Sequence, residues 1–229
     1  IGNNGCGTTA ITKKRGAVLI CPGGGYGMTS YREAEPIALK LLSAGFNAFV
    51  LYYSVAPNRH PQPLYDVSKA MCIIRENADE WMIDKDKIAV MGFSAGGHLA
   101  ASLGVHWNKE FLLNVPGMEK EKNKPNALIL SYPVISGVSH PHLGSFENLL
   151  GKDNMTDEMV NFMSLEKQVS RDTPKTFIWH TFEDATVPVE NSMEFAMALR
   201  ANDIPFELHV YPKGVHGLSL ANSEVCPPE

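Results

Sequence analysis

The sequence IAVMGFSAGGHLAASL, residues 88–103, decides how this chain is expected to fold. Its first six residues form a short apolar run typical of a buried strand, and the residues from His98 onward predict a helix. Between them lies Gly-Phe-Ser-Ala-Gly, the pattern of a nucleophile elbow, a turn so tight that only glycine fits on both sides of the serine. This turn would lift the hydroxyl of Ser94 out of the sheet edge, at the positive end of a helix. The flanking glycines disfavour the alternative, a serine that only caps the helix.

Short apolar runs alternate with longer amphipathic segments along most of the chain, which is typical of a parallel sheet with crossover helices. The predicted strands are Ala17–Cys21, Ala48–Tyr53, Ile88–Phe93, Ala127–Ser131, Thr176–His180 and Phe206–Tyr211. The predicted helices lie at about Glu35–Ala44, Leu64–Ala78, Ala95–Trp107 and Val189–Ala201. A length of 229 residues suits one α/β domain better than two small ones. We therefore predict a single α/β domain over residues 1–229.

The segment 133–173 interrupts this alternation. It is too long for an ordinary connection and carries apolar clusters of its own, so we predict a cap or lid insertion near the active face. His140 and His142 lie in it and are candidates to line a substrate cleft. As a metal pair they lack an evident third ligand, and we predict no metal site.

Composition excludes several classes of function. The net charge is −5 and the basic residues are scattered, so no nucleic-acid surface is expected. No apolar run approaches the ~20 residues needed to cross a bilayer, so no membrane partner is expected. The start of the chain shows no signal peptide. The four cysteines have no paired spacing, and Cys21 and Cys72 are predicted to be buried thiols, which favours a cytoplasmic location.

A serine nucleophile needs a base, and the base needs a carboxylate that orients it. On an elbow-bearing α/β sheet the chain order is serine, acid, histidine, and the later two follow strands. Asp184 and His216 both lie on loops directly after a predicted strand, and we predict that they are the acid and the base. The alternatives for the acid are Glu183 and Asp172, and a helix-start carboxylate is the alternative role of Asp184. The alternative for His216 is an ordinary surface histidine.

An oxyanion hole requires backbone N–H groups that point at the developing negative charge. The residue after the nucleophile, Ala95, is expected to supply one of them. The loop PGGGYG, residues 22–27, is expected to supply another, because three successive glycines let N–H groups turn inward. A phosphate loop is a poor alternative, since no Lys-Ser/Thr follows. Tyr26 either walls the pocket or packs in the core.

Two further signals have plain structural explanations. His98, four residues after the nucleophile candidate, is predicted to be structural. Ser30-x-x-Glu33 matches a capping box at a helix start, and we favour that interpretation over a catalytic one.

The chain resembles α/β-hydrolase esterases of the hormone-sensitive-lipase-like group, nearest to the small bacterial acetyl esterases called acetylxylan esterase or sugar hydrolase. The likeness extends over about residues 17–219. Its motifs are CPGGGY at 21–26, SYREAEP at 30–36, GFSAGGHLAASLG at 92–104, SYPVIS at 131–136, HTFEDATVPVENS at 180–192 and GVHGLSLA at 214–221. The resemblance implies an α/β-hydrolase fold, a mostly parallel central sheet flanked by helices with a small cap insertion.

The resemblance also implies roles for single residues. The nucleophile would be Ser94, the acid Asp184 and the base His216, with oxyanion donors at Ala95 and at Gly24 or Gly25. Pro22 stands where the wider lipase group has a histidine, which favours the sugar-esterase branch.

These expectations predict a serine hydrolase that cleaves short-chain, acetyl-type carboxylic esters on carbohydrates without any cofactor. Its partner would be a small acetylated sugar. The sequence is also compatible with a homo-oligomer. One alternative is an exopeptidase of the prolyl-oligopeptidase type, against which the absence of a propeller in the sequence argues. Another is a catalytically silent binding protein on a hydrolase scaffold.

Overall fold

Six strands form one all-parallel sheet in the computed structural model, which describes residues 13–119, 121–222 and 225. The strands are β1 (Arg15–Cys21), β2 (Asn47–Val50), β3 (Ile83–Phe93), β4 (Ala127–Ser131), β5 (Thr176–Thr181) and β6 (Phe206–Tyr211). Their order across the sheet is β2-β1-β3-β4-β5-β6, so β3 and its elbow lie near the middle. All six predicted strands are present, and the predicted α/β class is confirmed. The start of the chain and two of the four cysteines, Cys6 and Cys226, lie outside the described residues.

Most strand boundaries lie within two residues of the prediction, and two differ by more. β3 begins five residues early, because Ile83 pairs with Arg15 before the main register starts at Ile88 opposite Ala17. β2 ends at Val50, three residues before the predicted end, although the N–H of Leu51 still donates to the carbonyl of Ile20 at 2.9 Å.

Seven α-helices of the described chain surround this sheet. They are α1 (Glu35–Ser43), α2 (Gln62–Glu76), α3 (Ala95–His106), α4 (Glu110–Leu113), α5 (Leu143–Leu150), α6 (Asp157–Phe162) and α7 (Glu190–Ala201). The four predicted helices are α1, α2, α3 and α7. All twelve residues of α3 are buried, and all but His98 and His106 are apolar or small. None of the helices in the described part of the chain is long and apolar enough to cross a membrane.

The segment 133–173 contains α5 and α6 and packs on the central core. Phe146, Leu149 and Met163 are buried in the same apolar cluster as the strands. The amide of Asn148 donates to the carbonyl of Gly25 at 2.9 Å, so the segment also contacts the glycine loop. Its role as a lid remains a prediction.

Two histidines lie among aromatic rings next to this segment, His106 buried and His60 half-buried. His106 stacks on Phe162 with ring centroids 4.6 Å apart, and His60 lies against Phe111 and Phe162. Within the described residues neither ring nitrogen of His106 has a hydrogen-bond partner. Burial lowers the pKa of His106 from 6.5 to about 3, and that of His60 to about 4. Both rings are therefore neutral in the folded protein at neutral pH.

Replacing His106 with phenylalanine is expected to protect the fold against acid. Below pH 6.5 the unfolded chain binds a proton that the folded protein excludes, so stability falls as the pH falls toward about 3. Removing this group should reduce the loss of unfolding free energy between pH 7 and pH 5 by about 2 kcal/mol. Urea unfolding at the two pH values measures it. An identical pH dependence in His106→Phe and the parent protein would contradict the assignment.

Candidate active site

The turn between β3 and α3 holds Ser94 in a strained backbone conformation. Its φ is 53° and its ψ is −120°, a region that costs a residue with a side chain about 1–3 kcal/mol. A Cβ on Gly92 would lie 2.1 Å from the carbonyl oxygen of Gly96, and a Cβ on Gly96 would lie 2.1 Å from that of Cys21. No side chain fits at either place. Since the N–H of Ser94 donates to the carbonyl of Ser131 at 3.0 Å, the turn is also tied to β4.

The structure brings Ser94, His216 and Asp184 into one hydrogen-bonded chain. Nε2 of His216 lies 2.8 Å from Oγ of Ser94, and Nδ1 of His216 lies 2.6 Å from Oδ2 of Asp184. The side chain of Asp184 has no exposed surface, while that of His216 is 18% exposed. Because Nδ1 donates to the carboxylate, Nε2 is left with a lone pair that accepts the serine proton. The arrangement has the parts that a serine nucleophile and its general base need.

The carboxylate of Asp184 accepts four hydrogen bonds. Oδ1 accepts the N–H groups of Thr186 at 3.0 Å and Val187 at 2.9 Å, and Oδ2 faces His180 at 3.2 Å as well as His216. Burial alone would raise the pKa of Asp184, but the bonds from His180, His216 and the amide of Val187 outweigh it and hold that pKa well below its usual range. The group therefore stays a carboxylate throughout the neutral range.

Neither of the two alternative acids contacts the predicted base, His216. Glu183 is exposed and accepts the N–H of Gly214 at 3.3 Å, and Asp172 accepts the side-chain amide of Asn108 at 3.0 Å. Of the three carboxylates considered from sequence, Asp184 is the one that contacts the histidine.

The glycine loop, residues 22–27, lies against the serine, since a Cβ on Gly23 would lie 3.1 Å from Cβ of Ser94. Gly24 and Gly25 have φ values of 125° and 62°, which a residue with a side chain rarely adopts. No backbone carbonyl of the described chain accepts the N–H of either residue. Ala95 opens α3, where the first N–H groups have no partner in the helix. These three N–H groups are free to bind an anion, and their role as oxyanion donors remains a prediction.

Comparison with protein-family models gives a match to the BD-FAE model over residues 9–199. This chain belongs to the BD-FAE family. A curated relative, endo-1,4-beta-xylanase B of Butyrivibrio fibrisolvens, is 46% identical over 215 residues, covering 92% of this chain and 34% of that protein. The acetylxylan esterase of Xylanibacter ruminicola is 32% identical over 209 residues, covering 89% and 41%. The chain thus spans less than half the length of these two relatives.

Solved structures confirm the α/β-hydrolase fold. The acetyl ester-xyloside bifunctional hydrolase from Caldicellulosiruptor lactoaceticus superposes with a TM-score of 0.88 at 42% identity, covering 96% of this chain and 80% of that one. A sugar hydrolase from Lactococcus lactis superposes with a TM-score of 0.76 at 33% identity, covering 96% and 82%. The resemblance to esterases of the acetylxylan esterase and sugar hydrolase branch is confirmed.

In this BD-FAE family member, His180 also contacts the site, although it was not among the residues predicted from the sequence. It has no exposed surface, and its Nδ1 lies 2.8 Å from the hydroxyl of Ser192. Its Nε2 lies within 3.2 Å of both Oδ2 of Asp184 and the carbonyl of Val187, so Nε2 carries the proton and donates. The ring therefore holds the same carboxylate oxygen that His216 contacts. Its position, four residues before the predicted acid and at the end of a strand, was the available signal.

Tyr26 and His98 form a buried pair on the far side of the glycine loop. Tyr26 is 2% exposed and packs in the core, and its contact with substrate remains a prediction. Its hydroxyl donates to Nδ1 of His98 at 2.9 Å, and Nε2 of His98 donates to the carbonyl of Met163 at 2.9 Å. Burial lowers the pKa of His98 to about 4. His98 is structural, as predicted, and joins α3 to the 133–173 segment.

The two histidines of the insertion differ in position. His142 is half-buried and bonded to the hydroxyl of Ser145 at 2.8 Å. Burial, and after it electrostatic repulsion from His216, lowers the pKa of His142. His140 is exposed and faces Glu194 at 3.3 Å. Their contact with substrate remains a prediction. Among the described residues no group of three or more histidine, cysteine or acidic side chains is arranged to hold a metal ion.

The capping-box interpretation of Ser30 and Glu33 is wrong. The side chain of Ser30 makes no capping hydrogen bond. Glu33 is 4% exposed, and its carboxylate accepts the N–H of Gly23 and the hydroxyl of Tyr132. A box is a local pattern, whereas these two partners are distant in sequence.

Proposed function

We propose that this chain is a serine hydrolase that cleaves short-chain carboxylic esters, above all acetyl esters, on carbohydrate substrates. The observation that carries the proposal is the chain of hydrogen bonds from Ser94 through His216 to Asp184, at an elbow under a glycine loop.

In the first half of the reaction, Oγ of Ser94 attacks the ester carbonyl carbon while Nε2 of His216 takes its proton. Asp184 keeps the imidazole in the required tautomer and stabilises the imidazolium. The carbonyl oxygen becomes an oxyanion near the N–H groups of Ala95 and Gly24 or Gly25. His216 then gives its proton to the alkoxide oxygen, the C–O bond breaks and the alcohol leaves.

In the second half, a water molecule attacks the acyl-serine while His216 takes its proton. The second tetrahedral intermediate collapses, the bond to Oγ breaks, and the same proton returns to Ser94. Acetate leaves with the other product already gone. Every proton moves through Nε2, so no cofactor is needed for this route.

The carbohydrate part of the proposal is supported by the names of the relatives. Two curated relatives are a xylanase and an acetylxylan esterase, and a similar solved structure is an acetyl ester-xyloside hydrolase. Exposed apolar side chains also flank the site residues along the chain, namely Met28, Leu143 and Val215. Such side chains suit the apolar face of a sugar ring.

The experiment that tests the proposal compares three substrates under identical conditions: acetylated xylo-oligosaccharides, p-nitrophenyl acetate and an N-acetyl amino-acid anilide. We expect acetate release from the oligosaccharides and p-nitrophenol release from the ester, with the anilide cleaved far more slowly. Hydrolysis of p-nitrophenyl acetate alone would contradict the carbohydrate substrate and leave the esterase chemistry. Faster cleavage of the anilide would favour the exopeptidase alternative, and no hydrolysis at all would favour the silent binding protein.

The cytoplasmic location and a homo-oligomeric state also remain predictions.

A further inference from the structure

The carboxylate of Glu33 is buried beside the glycine loop, and the reaction steps above do not use it. Its Oε2 accepts the N–H of Gly23 at 2.8 Å, and its Oε1 accepts the hydroxyl of Tyr132 at 2.7 Å. Moving a carboxylate out of water is costly unless hydrogen bonds compensate it. A glutamate that only caps the start of a helix would keep its carboxylate in solvent and would not incur this cost. The burial of Glu33 therefore indicates that its carboxylate has a specific role beside the glycine loop.

The first contact holds the peptide that precedes the oxyanion donors. The N–H of Gly23 donates to Glu33, and the carbonyl of Gly23 accepts the N–H of Ser30 at 2.9 Å. A Cβ on Gly23 would lie 3.1 Å from Cβ of Ser94, so this residue stands against the nucleophile. With both of its polar groups held, Gly23 sets where the N–H groups of the following glycines point.

The second contact reaches the loop of the base. The ring of Tyr132 meets that of His216 edge-on, with centroids 5.1 Å apart. The oxygen of Tyr132 accepts the N–H of Ser219, three residues after His216, at 2.9 Å. Burial and the neighbouring Glu33 carboxylate raise the pKa of Tyr132, so its phenol keeps the proton that it donates. The hydroxyl of Ser219 returns to the carbonyl of Arg32, next to Glu33, at 2.6 Å.

We propose that Glu33 is a positioning residue, which through Gly23 aligns the oxyanion donors and through Tyr132 aligns the loop of His216, both relative to Ser94. This inference rests on the function proposed above. Glu33 touches neither substrate nor the reacting atoms. Its carboxylate joins two loops that lie almost 200 residues apart in the chain, so that the hole and the base keep a fixed distance from the same hydroxyl.

The test is Glu33→Gln, which keeps the shape of the side chain and removes its charge. The amide nitrogen of glutamine would face a donor at one of the two contacts, so one of them is lost. We expect kcat for p-nitrophenyl acetate to fall about 10- to 100-fold with KM within about threefold, since losing one oxyanion donor outright costs about 10²- to 10³-fold. The rate at which a fluorophosphonate labels Ser94 should fall by the same factor, because its tetrahedral phosphorus places an oxygen in the hole.

The matched control is Glu35→Gln, two residues further along the chain. Glu35 is exposed and its carboxylate accepts the hydroxyl of Tyr52, away from the site. We expect its kcat and labelling rate to equal those of the parent protein. Thermal unfolding of every variant separates a positioning effect from a merely structural one. A structural role would lower the melting temperature while leaving kcat and labelling of the folded protein unchanged well below it.

A second variant, Tyr132→Phe, removes one hydroxyl and keeps the Gly23 contact. We expect about a 3- to 10-fold fall in kcat with KM unchanged. A folded Glu33→Gln protein with parental kcat and labelling overturns the inference. If Glu33→Gln does not fold, parental kcat and labelling in Tyr132→Phe overturn it.

Failure of the proposed function gives a different result. A parent protein that takes the fluorophosphonate at Ser94 yet hydrolyses no ester contradicts the proposed function, and the labelling ratio of the variants still tests Glu33. A parent protein whose Ser94 takes no label contradicts both proposals, because the aligned hydroxyl that both require is then missing.

Discussion

Replacing Ser94 with alanine is expected to lower kcat for ester hydrolysis by about 10⁵- to 10⁶-fold. The variant keeps the binding surface and the N–H groups over it, but it has no oxygen to attack the carbonyl or to carry the acyl group. Only binding and the oxyanion donors would still accelerate attack by water, and such residual catalysis is small. KM should change little. Release of p-nitrophenol from p-nitrophenyl acetate, followed over hours at high protein concentration, measures the loss.

Ser102→Ala provides the control for this variant. Ser102 is also buried and lies on α3, and its hydroxyl lies 3.5 Å from Nδ1 of His98. We expect its kcat within about threefold of the parent value. Mass spectrometry of the parent protein after fluorophosphonate treatment should find the label on the peptide that contains Ser94. More than about 1% of parental activity in a folded Ser94→Ala protein would assign the nucleophile to another residue.

The elements that position the site were predictable because their signals are local. Buried strands of a parallel sheet appear as short apolar runs, and the helices between them keep one apolar face. The carboxyl ends of such strands meet at one edge, so loops after separate strands bring their polar residues together. This reasoning selected Asp184 and His216 from two distant parts of the chain, and the structure places them 2.6 Å apart.

The residues that sequence reasoning missed or misassigned depend on side-chain and strand contacts that no linear pattern shows. Glu33 stands three residues after a serine, which is indistinguishable from a capping box, while Tyr132 is 99 residues away. His180 looked like the last residue of a strand, since nothing in a linear pattern shows that its ring reaches the carboxylate. The early start of β3 has the same cause. Residues 83–87 are mostly polar, and only the pairing of Ile83 with Arg15 extends the strand there.

Replacing Asp184 with asparagine is expected to lower kcat by about 10⁴-fold while the protein stays folded. Oδ1 faces the two backbone N–H groups of Thr186 and Val187, so the asparagine keeps its carbonyl oxygen there. Its amide NH₂ then takes the place of Oδ2 and presents a donor to His216. A donor opposite Nδ1 favours the tautomer that carries its proton on Nε2, and that nitrogen cannot accept the proton of Ser94.

Glu183→Gln tests whether the fall in kcat of Asp184→Asn comes from the position of the carboxylate or only from its negative charge. The two carboxylates are adjacent in sequence and both changes remove one negative charge, so any long-range electrostatic effect is nearly the same. The structure predicts very different outcomes, because the exposed carboxylate of Glu183 accepts the N–H of Gly214, whereas that of Asp184 lies against His216. We expect kcat of Glu183→Gln within about threefold of the parent, against the 10⁴-fold loss in Asp184→Asn. Similar losses in the two variants would mean that the negative charge itself, and not the contact with His216, supports the reaction. A larger loss in Glu183→Gln would assign the acid to Glu183, against the 2.6 Å contact between Asp184 and His216.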